Sequence, residues 1–256
     1  MTAAERIPYG PAADQFGDLW VPDDRDGSLP VAVVIHGGFW RSHRNVDMTA
    51  PLAADLAARG YAAWNLEYAR VGGRGGWPTT LEDVAAGIDA LADLATSHDL
   101  DLTRVVTIGH SAGGHLALWA AARRGLPPDA PGAQPRVLPA AVVSLAGVAD
   151  LVAGARDDLG DGAVAGFLGG GPDEVPERYA LASPAQRLPL GVPQLLAHGD
   201  ADEHVPIGQS RAYRDAAEAA GDRATLLELP GADHFPVIDP ASSAWAEVVA
   251  WLSALW

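Results

Sequence analysis

Short apolar runs rich in Val, Ile and Leu alternate along this chain with longer Ala- and Leu-rich stretches of helical period. This alternation is typical of a sheet whose strands are connected by helices. Because strands that are apolar throughout are buried on both faces, we expect a mostly parallel central sheet with helices on both faces. The predicted strands are residues 31–36, 61–66, 105–109, 141–145, 194–197 and 225–229, and the predicted helices are residues 48–59, 80–98, 112–124, 207–220 and 244–255.

The length of the chain bounds its domain organisation. With 256 residues and 48% apolar content it can bury one sizeable core, so we predict a single domain over residues 1–256. Residues 147–191 are rich in Gly, Pro and acidic side chains, and we interpret them as a small cap inserted over the sheet. Ligands of such sheets bind beyond the carboxyl ends of the strands, so the residues that follow each strand are the first candidates for a site.

The charged and reactive residue types exclude several functions. The formal charge of −16 disfavours nucleic acid and anionic membranes as partners. The chain has no Lys and no Cys, which excludes lysine Schiff bases, thiolate nucleophiles and cysteine-bound zinc. It has no HExxH pattern, so we expect no metal and no organic cofactor. Residues 1–15 lack an apolar signal segment and no run is long enough to span a membrane, which predicts a cytoplasmic protein.

The pattern Gly-His-Ser-Ala-Gly follows the predicted strand 105–109 and opens a predicted helix. A GxSxG turn between a strand and a helix can lift a serine oxygen above the sheet, since Gly109 and Gly113 remove side chains that would collide there. Ser111 is therefore the candidate nucleophile. The alternative is an ordinary turn in which Ser111 only caps the helix.

A second glycine pair follows the predicted strand 31–36, in the sequence His-Gly-Gly-Phe-Trp. Consecutive glycines let backbone amides approach a substrate closely. We expect the amides of Gly38 and Phe39, with that of Ala112, to form an oxyanion hole. We interpret His36 as a residue that organises this loop through hydrogen bonds.

Candidate acid and base residues follow the last two predicted strands. Asp200, Asp202 and Glu203 lie in one loop after residues 194–197, and their spacing alone does not select among them. His234 lies in the loop after residues 225–229 and is the candidate general base, which gives the chain order Ser, acid, His. We interpret the other histidines as structural, namely His43, His98, His110, His115, His198 and His204.

These motifs, HGGxW, GHSAGGHL, HGxxDxxVP and GxxHF, resemble those of the α/β-hydrolase superfamily, and within it the esterase and kynurenine formamidase-like branch. The resemblance implies an α/β-hydrolase fold and selects Asp202 as the acid. It implies hydrolysis of a carboxylic ester, or of an activated amide such as N-formylkynurenine, through an acyl-enzyme. Formamidases of this type often have HGGYW, whereas Phe39 here lacks the tyrosine hydroxyl.

Three aromatic residues close to the motifs, Trp40, Trp77 and Phe235, are candidates for an aromatic wall around a small, partly apolar substrate. They could equally pack in the core. Two alternatives to an esterase or formamidase stay open: a peptidase of short peptides, and a non-catalytic binding protein with the same fold. The sequence gives no indication of the oligomeric state.

Overall fold

A computed structural model describes residues 4–23 and 27–256 of the protein. Residues 1–3 of the N-terminal segment considered above lie outside the described residues. Within the described part, eight strands form one sheet in the order β1-β2-β4-β3-β5-β6-β7-β8. The strands are β1 Glu5–Pro8, β2 Phe16–Trp20, β3 Leu29–Ile35, β4 Ala62–Leu66, β5 Leu100–His110, β6 Ala141–Leu145, β7 Gln194–Gly199 and β8 Ala224–Leu229.

The six predicted strands are present as β3 to β8, and every pairing among them is parallel. The prediction of a mostly parallel sheet with an α/β-hydrolase fold is confirmed. Strands β1 and β2, which pair antiparallel at one edge of the sheet, were not predicted. Their residues mix polar and apolar side chains, and the Arg6 guanidinium pairs with the Asp18 carboxylate across the hairpin at 2.8 Å. Edge strands of this kind lack the continuous apolar run that marks a central strand.

Helices cover both faces of the sheet, because alternate residues of each strand point to opposite sides. On β3, Val31, Val33 and Ile35 belong to one buried cluster, while Ala32 and Val34 belong to the other. The helices are α1 Ala50–Ala58, α2 Thr79–Asp89, α3 Leu91–Leu94, α4 Ala112–Ala122, α5 Leu151–Arg156, α6 Ala163–Leu168, α7 Pro176–Ala182, α8 Gly208–Ala219 and α9 Ser243–Ser253. Helices α2, α3, α4 and α8 pack on the first face, and α1 and α9 pack on the second.

The segment 147–191, which we expected to form a cap, contains the three short helices α5, α6 and α7. Phe167 of α6 connects this segment to the rest of the molecule. Its ring stacks on the indole of Trp40 at a centroid distance of 4.8 Å, and its carbonyl oxygen accepts a hydrogen bond from the amide of Trp77 at 2.8 Å. The segment is therefore anchored close to the Gly37-Gly38 loop.

Across residues 4–23 and 27–256, none of the helices combines the length and the apolar character that crossing a membrane would require.

Candidate active site

Ser111 lies in a sharp turn between β5 and α4. Its backbone φ is 56°, a left-handed value that is unfavourable for a residue with a side chain. The turn depends on its glycines: a Cβ atom on Gly109 would lie 1.9 Å from the carbonyl oxygen of Gly113, and one on Gly113 would lie 2.1 Å from that of Ile35. This is the strained geometry of a nucleophile elbow, which exposes a serine oxygen above the end of the sheet.

The Gly37-Gly38 loop packs against this elbow. A Cβ atom on Gly37 would lie 2.8 Å from the His110 carbonyl oxygen and 3.0 Å from the Ser111 Cβ, so only glycine allows this approach. Gly38, Phe39 and Trp40 all have positive φ values, of 113°, 51° and 57°. Surrounding contacts have to hold such a backbone in place.

His234 and Asp202 form a direct pair. The distance from Asp202 Oδ2 to His234 Nδ1 is 2.6 Å, and the Asp202 side chain is fully buried. Asp202 Oδ1 accepts backbone hydrogen bonds from His204 at 2.8 Å and from Val205 at 2.9 Å. Burial opposes ionisation of Asp202, but hydrogen bonds from His198, His234 and the Val205 amide outweigh it and hold the pKa of Asp202 well below its usual range. An ionised Asp202 keeps the proton of His234 on Nδ1 and leaves Nε2 free to accept one.

The other two carboxylates of this loop have different surroundings. Asp200 Oδ1 accepts the backbone N–H of Gly231 at 2.6 Å, and Glu203 is exposed. Of the three candidates that spacing left open, Asp202 is the one that the structure brings to His234.

His198, which was interpreted from the sequence as structural, also contacts Asp202. Its Nε2 lies 3.2 Å from Asp202 Oδ2 and 2.8 Å from the Val205 carbonyl oxygen, while its Nδ1 lies 2.7 Å from Ser210 Oγ. The spacing of four residues between His198 and Asp202 was the available signal. It was not used, because a histidine at the end of a buried strand usually serves packing.

His110 and His115 are both buried on either side of the elbow. His110 Nε2 bonds the His234 carbonyl oxygen at 2.9 Å, and burial lowers the pKa of His110 to about 3. His115 Nε2 bonds the Ala182 carbonyl oxygen at 2.9 Å, and burial lowers its pKa to about 4. Both rings are neutral at pH 7 and connect the elbow to neighbouring segments.

A cavity of about 90 Å³ lies over the elbow. Its lining includes Ser111, His234 and the predicted oxyanion residues Gly38 and Phe39. Ala112 is the first residue of α4, where backbone N–H groups have no partner within the helix. The predicted nucleophile, base and oxyanion loop are thus brought together around one space.

The three candidate aromatic residues differ in position. Phe235 is 46% exposed and lines the cavity. Trp40 is fully buried, and its indole N–H donates to His115 Nδ1 at 3.2 Å. Trp77 is half-buried beneath the guanidinium of Arg178. The structure therefore places Trp40 and Trp77 among the contacts of segment 147–191, and Phe235 at the cavity.

The strand-turn-helix elbow on a mostly parallel sheet defines the α/β-hydrolase fold. The chain belongs to the BD-FAE family, whose family model matches residues 18–216. The family resemblance that the motifs indicated is confirmed.

Proteins of known name are similar over most of this chain. Esterase LipQ of Mycobacterium tuberculosis is 28% identical over 252 residues, which cover 95% of this chain and 59% of LipQ, so the chain spans about three fifths of that relative. Kynurenine formamidase of Danio rerio is 23% identical over 242 residues, which cover 91% of this chain and 75% of the relative. A solved structure described as a truncated form of carbohydrate esterase from gut microbiota matches with a TM-score of 0.84 at 22% identity, covering 99% of this chain and 96% of that chain.

Proposed function

We propose that this protein is a serine hydrolase that cleaves carboxylic esters through an acyl-enzyme. The observation that carries this proposal is the 2.6 Å contact between Asp202 and His234, at a cavity that His234 shares with a serine in a nucleophile elbow. Membership of the BD-FAE family and the similarity to a relative named as an esterase support it.

In the proposed reaction, Ser111 Oγ attacks the ester carbonyl carbon while His234 Nε2 takes the serine proton. The amides of Gly38, Phe39 and Ala112 donate hydrogen bonds to the oxyanion that forms. His234 then gives its proton to the leaving alcohol oxygen as the C–O bond breaks, which leaves Ser111 acylated. Water, deprotonated by the same histidine, attacks the acyl carbon. The bond from this carbon to Ser111 Oγ then breaks as His234 returns the proton to Oγ, which releases the acid and restores the serine.

The shape of the site suggests the class of ester. The cavity over Ser111 is small, at about 90 Å³, whereas an adjoining cavity of about 860 Å³ shares His43, Arg44 and Met48 with it. Most sites for drug-sized ligands enclose several hundred cubic ångströms. We therefore propose a short acyl group in the small cavity and a larger, polar alcohol in the adjoining one, whose lining includes Asp14, Asp47 and Arg70 among other charged residues.

A formamide is a second candidate substrate, because a relative named kynurenine formamidase aligns with 91% of this chain. A formyl group is the smallest acyl group and fits the same small cavity. The triad chemistry is the same for both bonds, so the choice between them depends on how the leaving group is held.

A fluorophosphonate probe with p-nitrophenyl acetate, longer acyl esters, N-formylkynurenine and a short peptide tests these proposals, with Ser111→Ala as the matched control. We expect covalent label on Ser111, located by mass spectrometry, and turnover that falls as the acyl chain lengthens. Turnover of N-formylkynurenine above that of the esters would favour the formamidase. If Ser111 were not labelled and no compound were turned over, the result would contradict the serine hydrolase and favour a binding protein of the same fold.

A further inference from the structure

A buried pair of titratable residues lies directly behind the Gly37-Gly38 loop. The side chains of His36 and Glu67 are 0% and 2% exposed. His36 Nε2 lies 2.9 Å from Glu67 Oε1, and His36 Nδ1 lies 2.8 Å from the Gly37 carbonyl oxygen. A carbonyl oxygen and a carboxylate oxygen can only accept hydrogen bonds, so each of these contacts requires a proton on the imidazole nitrogen.

The partners of Glu67 indicate that the carboxylate does not itself carry the shared proton. Oε1 also accepts the backbone N–H of Tyr68 at 3.0 Å, and Oε2 accepts that of Val46 at 3.2 Å. The guanidinium of Arg70 lies 3.4 Å from Oε1. Hydrogen bonds from N–H donors and a nearby cation favour the ionised carboxylate. With the carboxylate as an acceptor, the two contacts of His36 together call for a proton on each ring nitrogen.

Tyr68 supplies a further contact that suits a charged His36. The two rings are stacked, with centroids 4.4 Å apart and an interplanar angle of 12°. The negative face of an aromatic ring attracts a cation above it. The Tyr68 hydroxyl donates to the His36 carbonyl oxygen at 2.8 Å, and burial raises the pKa of Tyr68 well above its usual range, so it stays a donor.

The His36 ring contacts the peptide group that joins Gly37 to Gly38. In a trans peptide the C=O and the N–H point in opposite directions. With its C=O bonded to His36, the peptide directs the Gly38 N–H to the other side of the loop, where Gly38 lines the cavity beside Ser111. A charged donor on the carbonyl also polarises the peptide and strengthens its N–H as a donor.

We propose that Glu67 is a positioning residue which, by keeping His36 protonated, orients and polarises the Gly38 amide for the oxyanion. The inference rests on the proposed function for the identity of the reaction. The structural part, a buried His36 ring in contact with both Glu67 and the Gly37 carbonyl oxygen, stands without it. From the sequence, His36 was predicted to organise this loop, whereas Glu67 was not identified.

Glu67→Gln tests the proposal, because a glutamine side chain has the same shape and keeps an oxygen that accepts from His36 Nε2 and the Tyr68 amide, while the carboxylate charge is removed. We expect kcat for p-nitrophenyl acetate to fall about 10- to 100-fold with KM changed less than about threefold, since an oxyanion donor acts in the transition state. The matched control is Asp83→Asn, which alters another buried carboxylate that accepts a backbone amide and pairs with an arginine away from the loop. It should leave kcat within about threefold.

The charge of His36 is measured independently by ¹⁵N NMR of histidine-labelled protein at pH 7. The His36 signals are assigned by their loss in His36→Asn. Both ring nitrogens should be protonated in the wild type, and one should lose its proton in Glu67→Gln. A neutral His36 in the wild type would overturn the proposal even if the protein is an active esterase. An unchanged kcat in a Glu67→Gln variant whose His36 has lost one ring proton would also overturn the proposal. If Glu67→Gln does not fold, His36→Asn, which retains a donor for the Gly37 carbonyl without charge, should show the same loss of kcat.

Discussion

The carboxylate of Asp202 is held 2.6 Å from Nδ1 of His234, and the same oxygen lies 3.2 Å from Nε2 of His198. Two imidazoles and two backbone amides therefore surround one buried carboxylate. This arrangement fixes the ring of His234 and the nitrogen that carries its proton. The neighbouring Asp200 has no such contact, because its carboxylate is bonded to the Gly231 amide instead.

The first prediction concerns this choice of acid. Asp202→Asn should lower kcat for p-nitrophenyl acetate about 10³- to 10⁴-fold, because an amide favours the wrong tautomer of His234 and does not stabilise its charged form. Asp200→Asn is the matched control, and it should keep kcat within about threefold because it loses only a surface turn contact. A large loss for Asp200→Asn with none for Asp202→Asn would reverse the assignment.

The second prediction concerns stability at low pH. Burial holds the pKa of His115 at about 4 in the folded chain, against an ordinary value of 6.5. Between these values the unfolded chain binds a proton that the folded chain does not, so the free energy of unfolding falls as the pH drops below 6.5. The slope for one such group is at most about 1.4 kcal/mol per pH unit.

Urea unfolding at pH 7 and pH 5 measures this effect. In His115→Gln, which keeps a donor for the Ala182 carbonyl, the loss of unfolding free energy between these pH values should be smaller than in the wild type by about 2 kcal/mol. His98→Gln alters a partly exposed histidine and should show the wild-type loss. Equal losses in all three proteins would show that His115 does not titrate as described.

The sequence was most informative for features that depend on a single strand and the residues directly after it. Strands β3 to β8 were predicted because each contains a short run rich in Val, Ile, Leu or Ala, and Ser111 and His234 were predicted because each lies in a turn or loop after such a run. The hairpin of β1 and β2 was missed, because its short strands mix apolar residues with Arg6 and Asp18.

Contacts between separate strand ends were harder to predict. Glu67 follows β4 and His36 follows β3, and these strands are neighbours in the sheet. Their pairing at 2.9 Å depends on that strand order, which local patterns in the sequence do not determine. The positions of Trp40 and Trp77 likewise depend on where Phe167 of segment 147–191 packs.

The third prediction concerns the elbow. Gly109→Ala would place a methyl group 1.9 Å from the Gly113 carbonyl oxygen, and both atoms belong to a turn that is already strained. We expect the free energy of unfolding to fall by about 3 kcal/mol and activity to be lost in the protein that folds. Gly166→Ala is the control, because it lies in helix α6 with open space around it. It should be neutral or stabilising by up to about 1 kcal/mol, and equal effects of the two substitutions in thermal melts would contradict the elbow geometry.

The fourth prediction separates the two kinds of aromatic residue near the site. Phe235 is 46% exposed and borders the cavity, so Phe235→Ala should raise KM for p-nitrophenyl butyrate about three- to tenfold while the free energy of unfolding changes by less than about 0.5 kcal/mol.

Trp40 is buried against Phe167, and Trp40→Phe removes the donor that bonds His115 Nδ1. It should cost about 1 to 3 kcal/mol of stability, measured by urea unfolding, and leave KM of the folded enzyme within about twofold. If Trp40→Phe instead raised KM as much as Phe235→Ala at unchanged stability, the substrate would have to reach Trp40. Because Phe167 covers the Trp40 indole, segment 147–191 would then have to move away from Trp40 during catalysis.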